Sequence, residues 1–589
     1  GNRRFHAQPN ACPVCGPRLE LVNGCGKSIN GDPVVTAIDY LRQGKIVAIK
    51  GLGGFHLAVD GTNNEAVKRL RRKKSREEKP LALMVGSLSE AKKLVLMGLT
   101  EERILNSFER PIVLASRCEN NRDIQYIADS VAPGIGYLGI MLPYTPLHYL
   151  LFYHPEAGGS FKSDITAFHA LVMTSGNKSE EPVCKDNDEA LERLGNIADA
   201  FLLHNRDIFV RCDDSVVRCY DTEVSFIRRS RGFAPSPVFL PDRAIPVLAF
   251  GGELKNTLCI VNGNNAFMSQ HIGDLENIPT LGFFHEAATH FMKILDLRPH
   301  LFAYDLHPDY LSTKYAKKMI GDLDEMHYGA VGVHHHHAHI AGVLAEHGNS
   351  GPVIGLSMDG SGYGKDGTVW GGEILICTPH SFTRPGHLDY VPLPGGAAAI
   401  RNPWRMAFSY LREAFGKDWQ SLDLECLKQT SQENLIVLDR ACKTGLNCPL
   451  TSSLGRLFDA AASILDICHV TAFEGQAAMM LEMAATGESD MQTLPYNLLH
   501  TDSEPMRGMP ELWGTAKKNY MFDSPDSLNM TIEYRPLVRA LVEGVSKGVP
   551  KSVLALSFHR AILESLTETA ELIREDTGIC TAALSGGCW

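Results

Sequence analysis

Val331-Gly332-Val333-His334-His335-His336-His337-Ala338-His339-Ile340-Ala341-Gly342, followed by Asp359-Gly360-Ser361-Gly362-Tyr363-Gly364, is the stretch from which the rest of the chain is read. Five of the six residues 334–339 are histidine. A purification tag would sit at a terminus, whereas this run lies mid-chain and continues into Ala338, Ile340, Ala341, Val343 and Leu344 with helical spacing. A helix opening near His334 sets His335 and His339 one above the other, where two imidazoles can share a cation. Asp359, expected at the end of a strand formed by the apolar run Val353 to Met358, adds a hard oxygen ligand. Two histidines and an aspartate with open positions suit Fe(II), Zn or Mn. The competing reading is a solvated histidine cluster that caps a helix.

At 589 residues the chain is too long for one core, and domains of roughly 100–200 residues predict about three. Hydrophobic residues at 44% and charged residues at 21% describe ordinary globular material. A net charge of −11 argues against nucleic acid as a partner, because sequence-independent binding of nucleic acid runs on a basic surplus. No apolar run reaches membrane-spanning length and Gly1-Asn2-Arg3-Arg4 is no signal peptide, so a soluble, cytoplasmic protein without a membrane partner is expected. Most of the fifteen cysteines stand singly among apolar residues, as at Cys259, Cys377 and Cys468, and read as reduced core residues. Cys12-Pro13-Val14-Cys15 differs and reads as half of a zinc ribbon whose other ligands are expected upstream of Gly1, the alternatives being a pair that is unmetallated here or a bare redox pair, which lacks the surrounding strand and helix.

From Asp32 helices and strands alternate. A helix through Val35 to Gln43 and a strand Ile46 to Lys50 lead to Gly51-Leu52-Gly53-Gly54-Phe55-His56, read as a strand, glycine turn and helix that brings backbone close to a phosphate. The run Lys68-Arg69-Leu70-Arg71-Arg72-Lys73-Lys74-Ser75-Arg76-Glu77-Glu78-Lys79-Pro80 is either a solvated basic face or, in an acidic protein, a polyanion site for a nucleotide or RNA. The strand Ala170 to Met173 runs into Thr174-Ser175-Gly176-Asn177, whose hydroxyl and amide can serve a ligand or simply close the turn. Arg/Asp-rich turns come next at 204–207, 211–215 and 228–232, suggesting a charged cleft for a phosphorylated ligand.

The segment from about Asp32 to Pro237 resembles the YrdC-like nucleotide-binding domains, with Lys74/Arg76 and Ser175/Asn177 on their Lys-x-Arg and Ser-x-Asn elements. The remainder of the chain resembles the TsaD-like half of the hydrogenase-maturation carbamoyltransferases of the HypF type, with Pro235 to Pro246 as the linker. The expected architecture is α/β: residues 1–27 as a zinc-ribbon remnant, a YrdC-like αβ domain at 28–238, and at 239–589 a duplicated domain of the actin, Hsp70 and sugar-kinase type. A pair of strand-turn-strand units is read within the duplicated domain. One has a Gly/Asn hairpin turn at Asn262-Gly263-Asn264-Asn265, and the other runs from Val353 to Ile376. The strand Thr581 to Leu584 and the turn Ser585-Gly586-Gly587 read as a unit left unfinished at Trp589, hence as a C-terminal truncation. The resemblance implies a further metal-ligating Asp beyond it.

The chemistry implied by the resemblance has two stages. Carbamoyl phosphate and ATP with Mg would yield carbamoyl adenylate in the first domain, at Lys50, His56, Lys74, Arg76, Lys79, Ser175, Asn177, Arg211, Ser215 and Arg228. The second domain would bind nucleotide through Lys255, Asn256, Gly360, Gly362, Asp459, Gly475, Gly586 and Gly587. There an Fe or Zn ion on His335, His339 and Asp359 would assist transfer to the C-terminal cysteine of the partner HypE, for the cyanide ligands of [NiFe]-hydrogenase, with no nucleophile from this chain. Zinc at Cys12 and Cys15 belongs to the ribbon. Rival readings are a tRNA threonylcarbamoyl transferase, for which the basic run would be the RNA contact, and a non-catalytic ATP-gated scaffold, which has no use for the histidine pair.

Overall fold

Short apolar runs alternating with amphipathic helices are gathered into three sheets in the computed structural model, which describes residues 16–118, 127–179, 181–321, 329–500 and 529–588. The first is a mixed ten-stranded sheet. Its order is Leu19–Asn23, Ala200–His204, Val47–Lys50, Phe55–Asp60, Leu171–Ser175, Leu83–Met84, Tyr137–Met141, Ile112–Ser116, Val216–Tyr220 and Glu223–Arg228. Its central strands are apolar on both sides because both faces are covered. Phe55, Leu57 and Val59 enter one core, while Val47, Ile49 and Ala58 enter the other. Helix Pro33–Arg42, capped by the Asp32 carboxylate on the N–H groups of Val34 and Val35, buries Ile38 and Leu41 against the second core. Helix Asn64–Lys74 covers the first core with Val67 and Leu70.

Two expectations change here. The turn Gly51–Gly54 leads into no helix; it closes an antiparallel hairpin between Val47–Lys50 and Phe55–Asp60, with Gly51 N–H donating to Gly54 O at 2.8 Å. The run after it, Phe55-His56-Leu57-Ala58-Val59, has the two-residue alternation of a strand. The strand Leu19–Asn23, expected with the zinc-ribbon remnant, is an edge of the ten-stranded sheet paired with Ala200–His204. Cys12 and Cys15 lie outside the described residues.

The rest of the chain repeats one plan. Pro237–Ala249 runs antiparallel to Cys259–Met268 and parallel to Leu301–Asp305, which is parallel to Gly329–Val333. Val353–Tyr363 likewise runs antiparallel to Val369–Cys377 and parallel to Ala582–Ser585. The expected linker is therefore a strand from Pro237 onward. Its ladder shifts register between Phe239 and Ala244 and again between Ala244 and Val247, around Pro241 and Pro246, which have no N–H to donate. No hairpin turn forms at Asn262–Asn265: Cys259–Met268 is continuous, and Gly263, at φ +61, takes up the register shift. Asp359 lies within a strand rather than at its end, where pairing breaks between Met358 and Gly362 and leaves residues 359–361 off the ladder.

The helical insertion packs the largest core, around Phe408, Tyr410 and Phe558. One of its helices, Gln476–Ala485, turns back to the first domain. There Met479 and Met480 rest on the first core, and Glu482 meets Arg218 at 2.8 Å and Tyr137 Oη at 3.1 Å. Lys185 and Arg211 pair with Glu286 across the same junction. Among the described residues no helix is long and apolar enough to cross a membrane.

Candidate functional site

Helix His335–Glu346 starts directly after the strand Gly329–Val333, with His334 as its N-cap. His335 Nε2 and His339 Nε2 lie 3.2 and 3.4 Å from Asp359 Oδ2, and one ligand atom from each of the three residues falls within 4.8 Å of the others. Asp305, at the end of Leu301–Asp305, accepts from His335 Nδ1 at 2.8 Å, which turns Nε2 toward Asp359. Ser585 Oγ stands 3.3 Å from His339 Nδ1. Asp359 Oδ1 accepts from Gly360 N–H at 2.8 Å and Gly587 N–H at 3.3 Å. Gly586 allows this approach, because at φ +110 a Cβ would lie 2.1 Å from Met358 O. Burial works against both charges here and is outweighed. Hydrogen bonds from the two imidazoles hold Asp359 well below the usual carboxylate range, and Asp305 and Asp359 raise His335 to about 9. Two nitrogens and a carboxylate, one imidazole oriented from behind, fit a divalent cation with open positions.

The other histidines of the run do not converge. His334 and His336 are buried, their ring nitrogens without a hydrogen-bond partner among the described residues, and pack near Trp370; burial lowers both, His334 to about 4. His337 Nε2 lies 2.9 Å from Thr378 O. Gly362 is needed for closeness, since a Cβ would lie 2.3 Å from His336 Cε1.

In the first domain Ser75, at φ 52, ends helix Asn64–Lys74 and brings Lys74, Arg76 and Lys79 onto one cavity of about 280 Å³. Ser175 and Asn177 form another wall, and Ala472 and Phe473 come from the second domain. Lys74 Nζ donates to Asn177 Oδ1 at 2.7 Å and to Ser175 O. Among the described residues none of the three cations has a carboxylate in ion-pair contact. Burial depresses all three: Lys74 well below its ordinary value, helped by Arg76; Arg76 to about 10, helped by Arg71 and Arg228; and Lys79, helped by Arg76 and Arg228. The basic run thus turns partly inward, and Arg71 braces it by bonding to the carbonyls of Arg76, Glu77 and Lys79.

Ser175 and Asn177 also line a second cavity of about 130 Å³, which reaches Asp213 and Arg228 on one side and Lys255, His271 and Asp274 of the second domain on the other. Burial, with Arg228, Lys79 and Lys255, holds His271 neutral. Burial keeps the Asp213 carboxyl above its ordinary value.

Several expected site residues are engaged elsewhere. Lys50 Nζ reaches His204 O at 3.3 Å, and His56 Nε2 meets Asp214 Oδ2 at 3.0 Å. Ser215 Oγ donates to Arg231 O and accepts from Ser230 N–H, closing a buried turn. Arg211 lines the second cavity, but its guanidinium is held by Glu189 and Glu286. The Asn256 amide latches its own turn to Phe250 O and Gly252 O, while Lys255 bridges to Glu474 at 3.0 Å. Asp459 is buried 3.0 Å from Arg456 Nη2, Gly360 lies beside that guanidinium, and Gly475, at φ +75, opens helix Gln476–Ala485. Asp213, His271, Asp305 and Phe473 were not assigned from sequence. Three of them carried a signal: Asp213 lies in the Arg/Asp-rich turn 211–215 read as part of a charged cleft, and His271 and Asp305 lie in the His- and Asp-bearing turns Gln270-His271-Ile272-Gly273-Asp274 and Asp305-Leu306-His307-Pro308, where His271 is as readily a structural histidine.

Comparison with known proteins matches the model "Carbamoyltransferase, Kae1-like Domain, second subdomain" to residues 355–589 and "HypF Kae1-like domain" to 242–346. The Sua5/YciO/YrdC model, described as "Telomere recombination", matches 39–230, and "HypF finger" matches 1–22. Carbamoyltransferase HypF2 of Cupriavidus necator is 44% identical over 97% of this chain and 70% of its own length. Carbamoyltransferase HypF of Rhizobium leguminosarum bv. viciae is 38% identical over 94% of this chain and 66% of its own. The crystal structure of full-length HypF in the phosphate- and nucleotide-bound form is 40% identical, with a TM-score of 0.86 over all of this chain and 70% of that one.

Proposed function

The chain belongs to the HypF carbamoyltransferase family, and from that premise we propose that its two sites divide one ATP-dependent carbamoyl transfer between them. In the first, a carbamate oxygen, derived from carbamoyl phosphate, attacks the α-phosphorus of Mg-bound ATP; pyrophosphate leaves and carbamoyl adenylate forms. Lys74, Arg76 and Lys79 take up the phosphate charge, and Ser175 and Asn177 orient the ligand. Because Ser175 and Asn177 border both cavities, the adenylate passes inward toward Lys255 and His271 without leaving the protein.

In the second site a thiolate, the C-terminal cysteine of the partner HypE, attacks the carbamoyl carbon and AMP leaves. The thiocarbamate later loses water to become a thiocyanate, and cleavage of its S–C bond delivers the cyano group as a cyanide ligand of [NiFe]-hydrogenase. An Fe or Zn ion on His335, His339 and Asp359 would supply Lewis-acid polarisation of the carbamoyl or phosphate oxygen. Asp305 holds His335 in the tautomer that this requires. An acyl adenylate is already activated, so the chain need only position the reactants and stabilise charge.

The reading rests chiefly on one observation: among the described residues three cations, Lys74 buried, Arg76 half-buried and Lys79 exposed, line one cavity with no carboxylate in ion-pair contact, an arrangement that an anion would complete. It is tested by ATP–pyrophosphate exchange dependent on carbamoyl phosphate or carbamate. Lys74→Ala with Arg76→Ala is expected to slow exchange by ~10²–10³-fold while metal content stays unchanged. Exchange at the wild-type rate would overturn the assignment.

A further inference from the structure

Among the described residues Phe473 is the one large apolar side chain on the wall of the first domain's cavity, and it comes from the second domain. Its loop is fixed from both sides. Thr471 N–H donates to Arg401 O at 3.0 Å and Ala472 N–H to Gln476 Oε1 at 2.7 Å, both within the second domain. The Gln476 amide reaches across to the Glu78 carboxylate of the first domain, and Glu474 pairs with Lys255 at 3.0 Å. Phe473 itself is only half-buried, so it is presented to the cavity rather than used as core. Apart from Ala472 the rest of the lining is polar or charged, with Lys74, Arg76 and Lys79 grouped in it beside Glu77.

A ligand with phosphates at one end and a planar heterocycle at the other matches that division of charge and apolar surface. We propose that Phe473 is a substrate-contacting, specificity-determining residue: its ring is the shelf for the base of the nucleotide whose phosphates meet Lys74, Arg76 and Lys79. The first domain's site is then complete only with the second domain docked on it. This rests on the cavity being a nucleotide site, as proposed above. A ring face serves any purine, so discrimination is between ligands with and without a base more than between bases.

The test is direct binding of two probes, ATP and inorganic tripolyphosphate, to the full chain. Phe473→Ala is expected to weaken ATP binding ~10-fold and leave tripolyphosphate unchanged. Phe473→Trp should bind ATP close to wild type. Phe473→Leu, which keeps volume without a π face, should weaken ATP as Ala does and covers the case in which the alanine variant fails to fold. Lys74→Ala should weaken both probes; if it weakens neither, the nucleotide reading itself fails. If Lys74→Ala weakens both but Phe473→Ala and Phe473→Leu bind ATP as wild type does, the shelf is overturned. Equal loss of both probes in the Phe473 variants would also overturn it, leaving Phe473 as a mere wall.

Discussion

The two sites are opposites in charge. In the first domain Lys74, buried, and Arg76, half-buried, are held by carbonyls and an amide with the exposed Lys79 beside them on one cavity, and no carboxylate is in ion-pair contact with the three among the described residues. In the second, Asp305 and Asp359 flank His335, and the Nε2 atoms of two imidazoles turn inward toward a carboxylate. One site is short of negative charge and the other of positive charge. Desolvation acts against the charged forms of Lys74, Arg76, Lys79, His335 and Asp359, so neither arrangement is a stability device. The side chains gathered at each site differ in sign, cationic in the first domain and carboxylate with imidazole in the second, and so suit ligands of opposite charge. A polyanion and a divalent cation are the two ligands that the proposed transfer through an adenylate would require.

The comparison breaks most visibly if the second site takes no cation. Replacing both His335 and His339 with Ala is expected to drop divalent metal in the purified protein from about one equivalent to background by elemental analysis, while ATP–pyrophosphate exchange in the first domain persists. Equal metal in variant and wild type would dissolve the contrast. A finer cut is Asp305→Asn. The amide can still meet His335 Nδ1 but cannot stabilise the donor tautomer as a carboxylate does, so metal affinity should fall ~10–100-fold without loss of the fold. Competition with a chelator reads this directly. An affinity equal to wild type would mean that His335 needs no support from behind.

The cation site was the more legible in sequence, because its two histidines are four residues apart on one helix and i,i+4 geometry is local. Asp305 and Ser585 were not legible as its supports, since sheet pairing brings them in from 30 and 246 residues away. The anion site showed its cations and its Ser-x-Asn turn. It did not show that His56 and Ser215 would be consumed by Asp214 and Arg231, or that Phe473 would close the cavity from another domain. Turns misled where backbone chemistry was ambiguous. Gly51–Gly54 looked like a phosphate loop and is a hairpin, and Asn262–Asn265 looked like a hairpin and is a bulged strand. Glycine licenses a positive φ or a close approach in either context, so composition alone does not separate them.

Asp459 and Arg456 provide a third case, a buried pair whose charges are opposite and already matched, and they sharpen the contrast with the smallest effect on rate. Their nearest atoms are 3.0 Å apart, but the contact is off the hydrogen-bond line and Arg456 Nε and Nη1 are unpartnered, so the pair is poorly satisfied. Burial outweighs the guanidinium and lifts Asp459 from 3.8 to about 6. With the folded-state pKa raised, the native protein binds more protons than the unfolded chain between these values. Its contribution to stability is complete below pH 3.8 and is lost as pH rises through about 6. Asp459→Asn removes that loss. The variant should match wild type below pH 3.8 and exceed it at neutral pH by at most ~3 kcal/mol, two units at about 1.4 kcal/mol each. Urea midpoints of the two proteins compared across this range give the slope directly, and a difference that does not change with pH would refute it. Transfer should continue at near the wild-type rate, because a pair matched from within leaves no charge for a ligand to complete.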